Sequence, residues 1–284
     1  MKISLLGTGL MGQAIGRRLL DKGHDLAVYN RTQEKTKTLA AKGARVAGSP
    51  QEAIRASSCA LLMLADFRAI ESVLFQNLCD LEARTIIQMG TIAPQESISI
   101  HARVAAGGGE YCECPVLGSR KEAASGKLIL MFGGRPEQWQ RWEPLLAALG
   151  DDRALIGSVG QAAALKLALN QLIASLMGAF SLSLGMIEKS GVDINLFMDI
   201  LRSSALYAPM FDKKMSRLID RHYADPNFPI KHLLKDVDLI LAECRPKGLY
   251  PRHLEGVREI LTKTLAGGRA DQDYSALHET ISPP

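Results

Sequence analysis

Residues 2–12 of the chain read Lys-Ile-Ser-Leu-Leu-Gly-Thr-Gly-Leu-Met-Gly. The apolar start of this stretch predicts a short buried strand, and the helical pattern that follows it ends near Gly23. Between them, Gly7, Gly9 and Gly12 have the G-x-G-x-x-G spacing. Gly7 permits a tight turn, Gly9 lets a phosphate approach the backbone, and Gly12 lets the helix pack on the strand. The stretch therefore predicts the first turn of a doubly wound α/β domain.

A second strand at residues 25–29 completes a βαβ unit, in which the unpaired N–H groups of the helix start favour a dinucleotide's phosphates. This strand ends at Asn30-Arg31-Thr32 and lacks a terminal Asp or Glu. A carboxylate there would accept from a free ribose 2′-OH, whereas the guanidinium of Arg31 and the hydroxyl of Thr32 suit a 2′-phosphate. The pattern therefore favours NADP(H) over NAD(H). The residues expected to bind it are Gly7, Thr8, Gly9, Leu10, Met11, Gly12, Asn30, Arg31 and Thr32.

The rest of the first half continues to alternate between strand and helix patterns. Further strands are expected at residues 60–64, 85–89 and 128–132, and helices at 33–42, 50–56, 69–75, 94–106 and 136–149. Strands that alternate with helices are typical of a mostly parallel sheet with helices on both faces. The sequence thus predicts an N-terminal Rossmann doubly wound domain, which binds NADP, over residues 1–159.

After Gly160 the pattern becomes helical to the end of the chain, which predicts an all-α substrate and dimerisation domain at residues 160–284. Its first helix, a long interdomain helix from about Gln161 to Lys189, is apolar around most of its circumference and needs cover on all sides. A second subunit would supply that cover, so a homodimer or homotetramer is expected. The uncharged stretch 167–187 is long enough to span a bilayer. Its polar side chains argue against a membrane; they are Asn170, Gln171, Ser175, Ser181 and Ser183.

The overall composition is that of a folded, reduced protein. Of 284 residues, 47% are hydrophobic and 23% are charged, which excludes disordered and fibrous classes. The net charge of +4 comes from scattered residues, so a nucleic-acid partner is not expected. The five cysteines show no CxxC pair or zinc spacing, and the apolar N-terminal run is too short for a signal peptide. A metal-free cytoplasmic protein is expected.

Lys166 and Asn170 lie four residues apart on the long apolar helix and so share one of its faces. Burial lowers the pKa of a lysine, so an ammonium held by a polar partner can donate a proton near neutral pH. Carbonyl reduction needs such a donor, because negative charge develops on oxygen as hydride reaches carbon. The alternative is a lysine at the start of a helix that extends into solvent.

Motifs along nearly the whole chain match, in their order and spacing, the pattern of one known protein family. They are residues 7–12, 23–24, 30–32, 115–119, 126–128, 160, 166, 170, 228–229, 231, 235–236 and 271–276. On these motifs the chain resembles the β-hydroxyacid dehydrogenase family, which includes 3-hydroxyisobutyrate dehydrogenases and is 6-phosphogluconate dehydrogenase-like. Within it, residues 118–121 and 228–232 are most similar to the NADPH-dependent glyoxylate and succinic semialdehyde reductases.

The resemblance implies a role for each matching residue. Lys166 is the catalytic lysine that donates to the substrate oxygen, and Asn170 holds the substrate beside it. Gly118 and Ser119 would donate to a substrate carboxylate. The residues implied around the substrate are Gly118, Ser119, Leu117, Phe228 and Asp236. Those implied at the cofactor, beyond the glycine turn and residues 30–32, are Leu64, Thr91 and Lys235.

Two positions depart from the family pattern. Relatives commonly have a serine at the positions of Leu117 and Gly90, both near the substrate's acid group. Loss of two hydroxyl donors leaves a carboxylate with fewer partners, which costs free energy in a buried site. A bulkier or less acidic carbonyl, or an imine, is therefore an open alternative to a small acid.

The sequence as a whole predicts an NADPH-dependent reductase that transfers hydride to a small aldehyde or 2-oxo acid, of the glyoxylate or succinic semialdehyde type. Three other functions are kept as alternatives. One is an NAD(P)-dependent dehydrogenase of a 3-hydroxy acid such as 3-hydroxyisobutyrate, which Arg31 disfavours. The others are an imine reductase and a non-catalytic NADP-binding scaffold.

Overall fold

The computed structural model describes residues 1–76 and 79–284. The chain divides into two compact units, residues 1–167 and 168–284. The strands are β1 Lys2–Leu6, β2 Asp25–Tyr29, β3 Arg45–Val46, β4 Cys59–Leu62, β5 Thr85–Gln88, β6 Glu110–Glu113, β7 Val116–Leu117, β8 Ile129–Gly133 and β9 Arg153–Gly157. The helices are α1 Leu10–Asp21, α2 Lys37–Ala40, α3 Pro50–Arg55, α4 Phe67–Glu71, α5 Pro94–Ala106, α6 Arg120–Ser125, α7 Pro136–Leu146, α8 Gln161–Lys189, α9 Ile194–Ser203, α10 Pro209–Ile219, α11 Ile230–Cys244, α12 Arg252–Thr264 and α13 His278–Ile281.

The strands of the first unit form one mixed sheet in the order β3-β2-β1-β4-β5-β6-β8-β7, with β9 beside β8. Strands β1 to β6 pair in parallel. Strand β8 is antiparallel to β6 and β7, whereas β9 runs parallel to β8. The chain order reverses beside β1, as in other doubly wound sheets. The expected Rossmann domain is confirmed.

Both faces of the sheet are covered by apolar side chains, as a parallel sheet requires. One face packs Leu5, Val28 and Leu61 under α1 and α7, with Trp142 contributing its ring. The opposite face packs residues such as Ile86 under α3 and α5. The carboxyl ends of the strands are thereby fixed relative to one another.

Several elements differ from the sequence expectation. Strand β6 is not predicted by hydrophobic pattern, because it begins and ends with glutamate. Glu113 is nevertheless buried. The helix expected at 33–42 is a 3-10 turn, Gln33–Thr36, followed by the short α2. The Thr36 hydroxyl donates to the carbonyl of Gln33 at 2.7 Å, an alternative to regular helical bonding. The helix expected at 69–75 begins earlier, at Phe67, because Asp66 caps it by accepting from Ala69 N–H at 2.8 Å.

Beyond residue 160 all described elements are helical, which confirms the all-α character of the second half. Helix α8 has the bounds that its apolar run predicts, Gln161–Lys189. Within the second unit it buries Ala174, Met177 and Phe180, and the Phe180 ring stacks on Phe211 of α10 at 4.4 Å between centroids. By length and composition alone, helix α8 is long and apolar enough to cross a membrane, and under half of its most apolar stretch is buried.

A buried ion pair lies inside the second unit. Lys214 Nζ lies 2.7 Å from Asp273 Oδ1, and both side chains are almost fully buried. Asp273 also accepts from the Ser275 hydroxyl at 2.8 Å and from Asn227 N–H at 3.1 Å, and Lys214 Nζ lies 4.2 Å from the centre of the Tyr274 ring. The pair ties α10 to the segment before α13.

Candidate active site

Three parallel strands end at one edge of the sheet. In the β-ladder, Leu6 of β1 pairs with Leu62 of β4, and Leu62 pairs with Gln88 of β5. The residues that follow these strands therefore emerge side by side. In doubly wound sheets this edge, where the strand order reverses, is where dinucleotides bind.

The glycine turn follows β1 at this edge. Gly7 has a φ of +99°, and a Cβ there would lie 2.2 Å from the carbonyl oxygen of Met63. A Cβ on Gly12 would lie 1.9 Å from the carbonyl oxygen of Gly7, so only glycine lets α1 start so close to the strand. Leu64 lies against the turn, since its Cδ2 is 3.1 Å from the same Gly7 Cβ position. The sequence-predicted contact residues 7–12 and Leu64 are thus brought together.

The end of β2 is tied to this turn by Asn30. Its Oδ1 accepts from Thr8 N–H at 3.0 Å, and its Nδ2 donates to the carbonyl of Thr32 at 2.9 Å. Arg31 stands between them and is exposed. Asn30 thus fixes the loop that presents the guanidinium.

The chain's features fit a dinucleotide at this turn. A Cβ on Gly9 would meet no atom within 4 Å, so the backbone is open to a phosphate. The buried hydroxyl of Thr8 has no hydrogen-bond partner among the described residues. A buried polar atom without a partner is unfavourable unless a ligand or water satisfies it.

Lys166 lies on α8 about one turn and a half from its start, where the helix is anchored by a buried carboxylate. Glu113 Oε1 accepts from the N–H groups of Gly160, Ala162 and Ala163 at 2.8, 2.9 and 3.0 Å. Its Oε2 accepts from the Ser97 hydroxyl, which also bonds the Tyr111 hydroxyl at 2.8 Å. Burial raises the pKa of Glu113, and the hydrogen bonds from Ser97 and the α8 amides oppose that rise. These hydrogen bonds fix the first turn of α8, and Lys166 lies just beyond that turn.

Asn170, one turn after Lys166, is held from α11 of the second unit. Its Nδ2 donates to Asp236 Oδ2 at 2.6 Å, and both residues are about 2% exposed or less. Lys235 Nζ lies 2.8 Å from Asp236 Oδ1. The buried Asn170 Oδ1 has no hydrogen-bond partner within the described part of the chain. Asp236 therefore orients the amide and leaves its carbonyl oxygen for a donor.

Phe228, which the family resemblance places around the substrate, lies just before α11, and His232 lies in the first turn of that helix. The Phe228 ring meets Tyr274 edge-on at 5.9 Å between centroids, so the buried Tyr274 fixes it. Burial and the nearby ammonium groups of Lys235 and Lys231 lower the pKa of His232. At neutral pH His232 is therefore uncharged, and the positive charge here is carried by lysines.

The loop after β6 contains the residues expected to contact a substrate acid group. Ser119 caps α6, and its N–H donates to Glu122 Oε2 at 2.8 Å. The Ser119 hydroxyl also donates to Glu122 Oε2 and accepts from Lys121 N–H at 3.3 Å. Both donors of Ser119 are thus bound to a carboxylate of the chain itself. Thr91 and Leu117 are partly buried.

Sequence reasoning missed two carboxylates. Glu122 has a sequence signal, because Ser119 and Glu122 form an S-x-x-E capping box. Glu113 has no such signal, since the backbone amides that it binds lie 47 to 50 residues further along the chain. Only the folded chain brings those amides together.

Two family models match the chain, one over each of its halves. Residues 2–160 match the model of the NAD-binding domain of 6-phosphogluconate dehydrogenase. Residues 160–281 match the model described as NAD-binding of NADP-dependent 3-hydroxyisobutyrate dehydrogenase. The two matches meet at Gly160, just before α8.

Individual relatives match the chain along its length. Glyoxylate/succinic semialdehyde reductase 1 of Arabidopsis thaliana is 33% identical over 99% of this chain and 98% of its own. Glyoxylate/succinic semialdehyde reductase 2, chloroplastic, of the same plant is 29% identical over 99% of this chain and 79% of its own. The solved 3-hydroxyisobutyrate dehydrogenase of Salmonella typhimurium has the same fold, with a TM-score of 0.88, 20% identity and coverage of 98% and 99%.

The two family models cover nearly the whole chain between them, and the Arabidopsis reductase 1 is 33% identical to it over 99% of its length. The glycine turn fits the nicotinamide dinucleotide that both models name. The chain belongs to the β-hydroxyacid dehydrogenase family and is an NAD(P)-dependent oxidoreductase that acts on hydroxyl or carbonyl groups.

Proposed function

We propose that the protein is an NADPH-dependent reductase of a small aldehyde or 2-oxo acid, with Lys166 as the proton donor. The observation that carries the proposal is the amide of Asn170. Asp236 fixes this amide through its NH₂ group, and its buried carbonyl oxygen is left without a hydrogen-bond partner among the described residues. This acceptor lies one helical turn from Lys166, so it can accept a hydrogen bond either from the lysine ammonium or from the hydroxyl of the product alcohol.

Each residue then has a separate task. When bound, NADPH supplies the hydride that reduces the carbonyl carbon. Lys166 donates a hydrogen bond to the carbonyl oxygen and then transfers a proton to it, so that an alcohol is formed. Asn170 orients the substrate, and Asp236 holds Asn170. Glu113 acts through α8 as a positioning residue for Lys166.

The preference for NADPH is proposed from the end of β2. Arg31 is exposed on a loop that Asn30 holds against the glycine turn. A guanidinium binds a phosphate with two parallel hydrogen bonds, and no carboxylate stands in this loop to bind a free ribose hydroxyl. The loop therefore favours the 2′-phosphate.

The partner proposed for this chain is a second copy of itself. The surface of α8 includes Leu172, Leu182 and Met186, whose exposed fractions are 51%, 56% and 63%. These residues lie in the uncharged stretch 167–187 of α8. An apolar stripe of this kind favours a protein interface, and a twofold dimer would pair it with itself. Leu182→Glu should then give a smaller species by light scattering after size exclusion. A wild-type monomer would contradict the proposal.

The proposed location is the reducing interior of the cell, the cytoplasm. All five cysteines are free thiols, and Cys59, Cys112 and Cys114 are buried. Burial raises the pKa of the Cys79 thiol to about 11. Unpaired thiols are usual in a reducing compartment.

The test of the function is the loss of NADPH absorbance with a panel of carbonyls. The panel contains glyoxylate, succinic semialdehyde, butanal, larger apolar aldehydes and a cyclic imine, with NADH run in parallel. Turnover of small aldehydes or 2-oxo acids with NADPH is expected. Turnover of the imine alone, or NADPH binding with no turnover, would overturn the proposal.

A further inference from the structure

The loop after β6 lies where a substrate group would be recognised. β6 ends at Glu113, in register with the end of β5 at Gln88, so residues 114–119 continue from the ligand-binding edge of the sheet. A substrate that carries an acid group would need hydrogen-bond donors at this edge. The donors that the loop presents are therefore informative about the substrate.

Ser119 is the residue of this loop with both a backbone and a hydroxyl donor, and Glu122 occupies both of them. The Ser119 N–H and Oγ–H converge on the single oxygen Oε2 of Glu122, the N–H at 2.8 Å. A substrate carboxylate would have to displace this internal carboxylate or approach it. Two carboxylates that share one set of donors repel each other.

Two further positions, which follow the paired strands β5 and β6, have no hydroxyl. Leu117 is apolar and pairs with Ile129 of β8 in the ladder. At Gly90, a Cβ would lie 2.6 Å from the carbonyl oxygen of Leu64, which excludes any side chain. The Gly90 N–H already donates to the side-chain carbonyl of Gln88. At these three positions an acid group would meet an apolar side chain, a glycine whose N–H is already bonded and a serine whose two donors are bound to Glu122.

We infer that this end of the site takes an uncharged substituent, and that Glu122 is a specificity-determining residue that disfavours carboxylates. The inference rests on the proposed function and narrows it: among small carbonyls, the protein reduces neutral aldehydes better than acids of the same length. Lys166 and Asn170 act on the carbonyl in either case.

The experiment compares two four-carbon aldehydes that differ in the terminal acid, succinic semialdehyde and butanal. Glu122→Gln removes the charge, but an amide oxygen can still accept from Ser119, as in the glutamine form of the capping box. Glu122→Ala also releases the Ser119 donors. We expect the ratio of kcat/KM for the acid over butanal to rise about tenfold in Glu122→Gln, because one repulsive charge is removed. In Glu122→Ala it should rise at least as far.

A matched control is Glu52→Gln. Glu52 also accepts from a backbone N–H ahead of a helix, that of Gly48 at 2.8 Å, but it lies beside the edge strand β3. Glu52→Gln should leave the ratio of kcat/KM for succinic semialdehyde over butanal unchanged. A wild-type preference for succinic semialdehyde over butanal would overturn the inference, and so would an unchanged ratio in both Glu122 variants.

A second measurement does not depend on turnover. Calorimetric titration of the protein with butanoate and with butanamide, NADPH being present, gives the affinity of the acid relative to its neutral amide. We expect Glu122→Gln to strengthen butanoate binding and leave butanamide unchanged. If neither aldehyde is reduced, the proposed function fails, while this titration still decides the role of Glu122. Equal effects on both compounds would contradict that role.

Discussion

Glu113 accepts a hydrogen bond from the backbone N–H of Gly160 at 2.8 Å, and through it the last residue of β6 holds the start of α8. Two more amides of the same turn converge on that oxygen. A helix N-terminus carries a partial positive charge, which a buried carboxylate neutralises. The geometry of Lys166 therefore depends on a residue that is distant in sequence.

Replacement of Glu113 should affect both stability and turnover. Glu113→Ala leaves three amides without their acceptor and should lower the free energy of unfolding by about 3 kcal/mol or more, measured in urea. Glu113→Gln retains an acceptor and should cost about 1 kcal/mol. In Glu113→Gln, kcat should fall while the Kd of NADPH stays the same, because the glycine turn is untouched. Glu137→Gln, an exposed carboxylate at the start of α7, is the control. If kcat fell equally in Glu113→Gln and in the control Glu137→Gln, Glu113 would not be a positioning residue for Lys166.

Lys166→Ala should abolish reduction and leave NADPH affinity nearly unchanged. Loss of a general acid lowers kcat by about a hundredfold to ten-thousandfold. The measurement is single-turnover oxidation of bound NADPH, with NADPH binding followed by its fluorescence. Lys189→Ala, at the exposed far end of α8, should keep wild-type turnover. Undiminished reduction by Lys166→Ala would remove this lysine from the mechanism.

Arg31→Asp should shift the cofactor preference toward NADH. The substituted carboxylate repels the 2′-phosphate and can accept from a free 2′-hydroxyl. We expect the ratio of kcat/KM for NADPH over NADH to fall by about tenfold or more. Arg17→Asp makes the same charge change on the exposed surface of α1 and should leave the ratio unaltered. If both variants shift the ratio equally, the effect is one of net charge and Arg31 does not recognise the phosphate.

Most of the fold could be predicted because its signals are local. The bounds of β1, β2, α5 and α8 follow from apolar periodicity and flanking glycines, prolines and polar residues. Strand β6 could not be predicted in this way, since its buried Glu113 is stabilised by amides and a serine that are remote in sequence. Short strands such as β3, with two residues, carry too little pattern to stand out.

The candidate site likewise contains some residues whose roles local sequence predicts and others whose roles depend on contacts distant in sequence. The spacing of Lys166 and Asn170 is a property of one helix and could be predicted from the sequence. Asp236 is the partner of Asn170 across 66 residues, and the sequence supports its role only through the family resemblance. The occupied donors of Ser119 were not foreseen, although the S-x-x-E spacing to Glu122 is visible in the sequence. Motif matching finds residue types, whereas hydrogen bonding decides which donors remain for a substrate.

The buried pair Lys214–Asp273 should be strongly coupled. Burial acts to raise the pKa of Asp273, but Lys214 and the hydrogen bonds from Ser275 together outweigh it, so the pKa is lowered and Asp273 is a carboxylate at neutral pH. Asp273→Asn leaves an ammonium buried without its counter-charge and should cost about 3 to 5 kcal/mol in the free energy of unfolding. The double variant Lys214→Met, Asp273→Asn should cost less than the sum of the single variants. Simple additivity in urea unfolding would show that the two side chains act independently.

His278 should make the protein less stable as the pH falls below neutral. It is fully buried, and burial lowers its pKa below 6.5, with Arg221 adding to the effect and Glu188 and Glu279 opposing it. A base whose pKa is lower in the folded state resists protonation there, so stability is lost as the pH falls from about 7 through the unfolded-state value of ~6.5. The free energy of unfolding in urea at pH 7 and pH 5 measures this loss. In His278→Gln the free energy of unfolding should differ less between pH 7 and pH 5. In His222→Gln, a change on the exposed surface, this difference should be the same as in the wild type. An identical pH dependence in wild type and His278→Gln would mean that other groups cause the acid sensitivity.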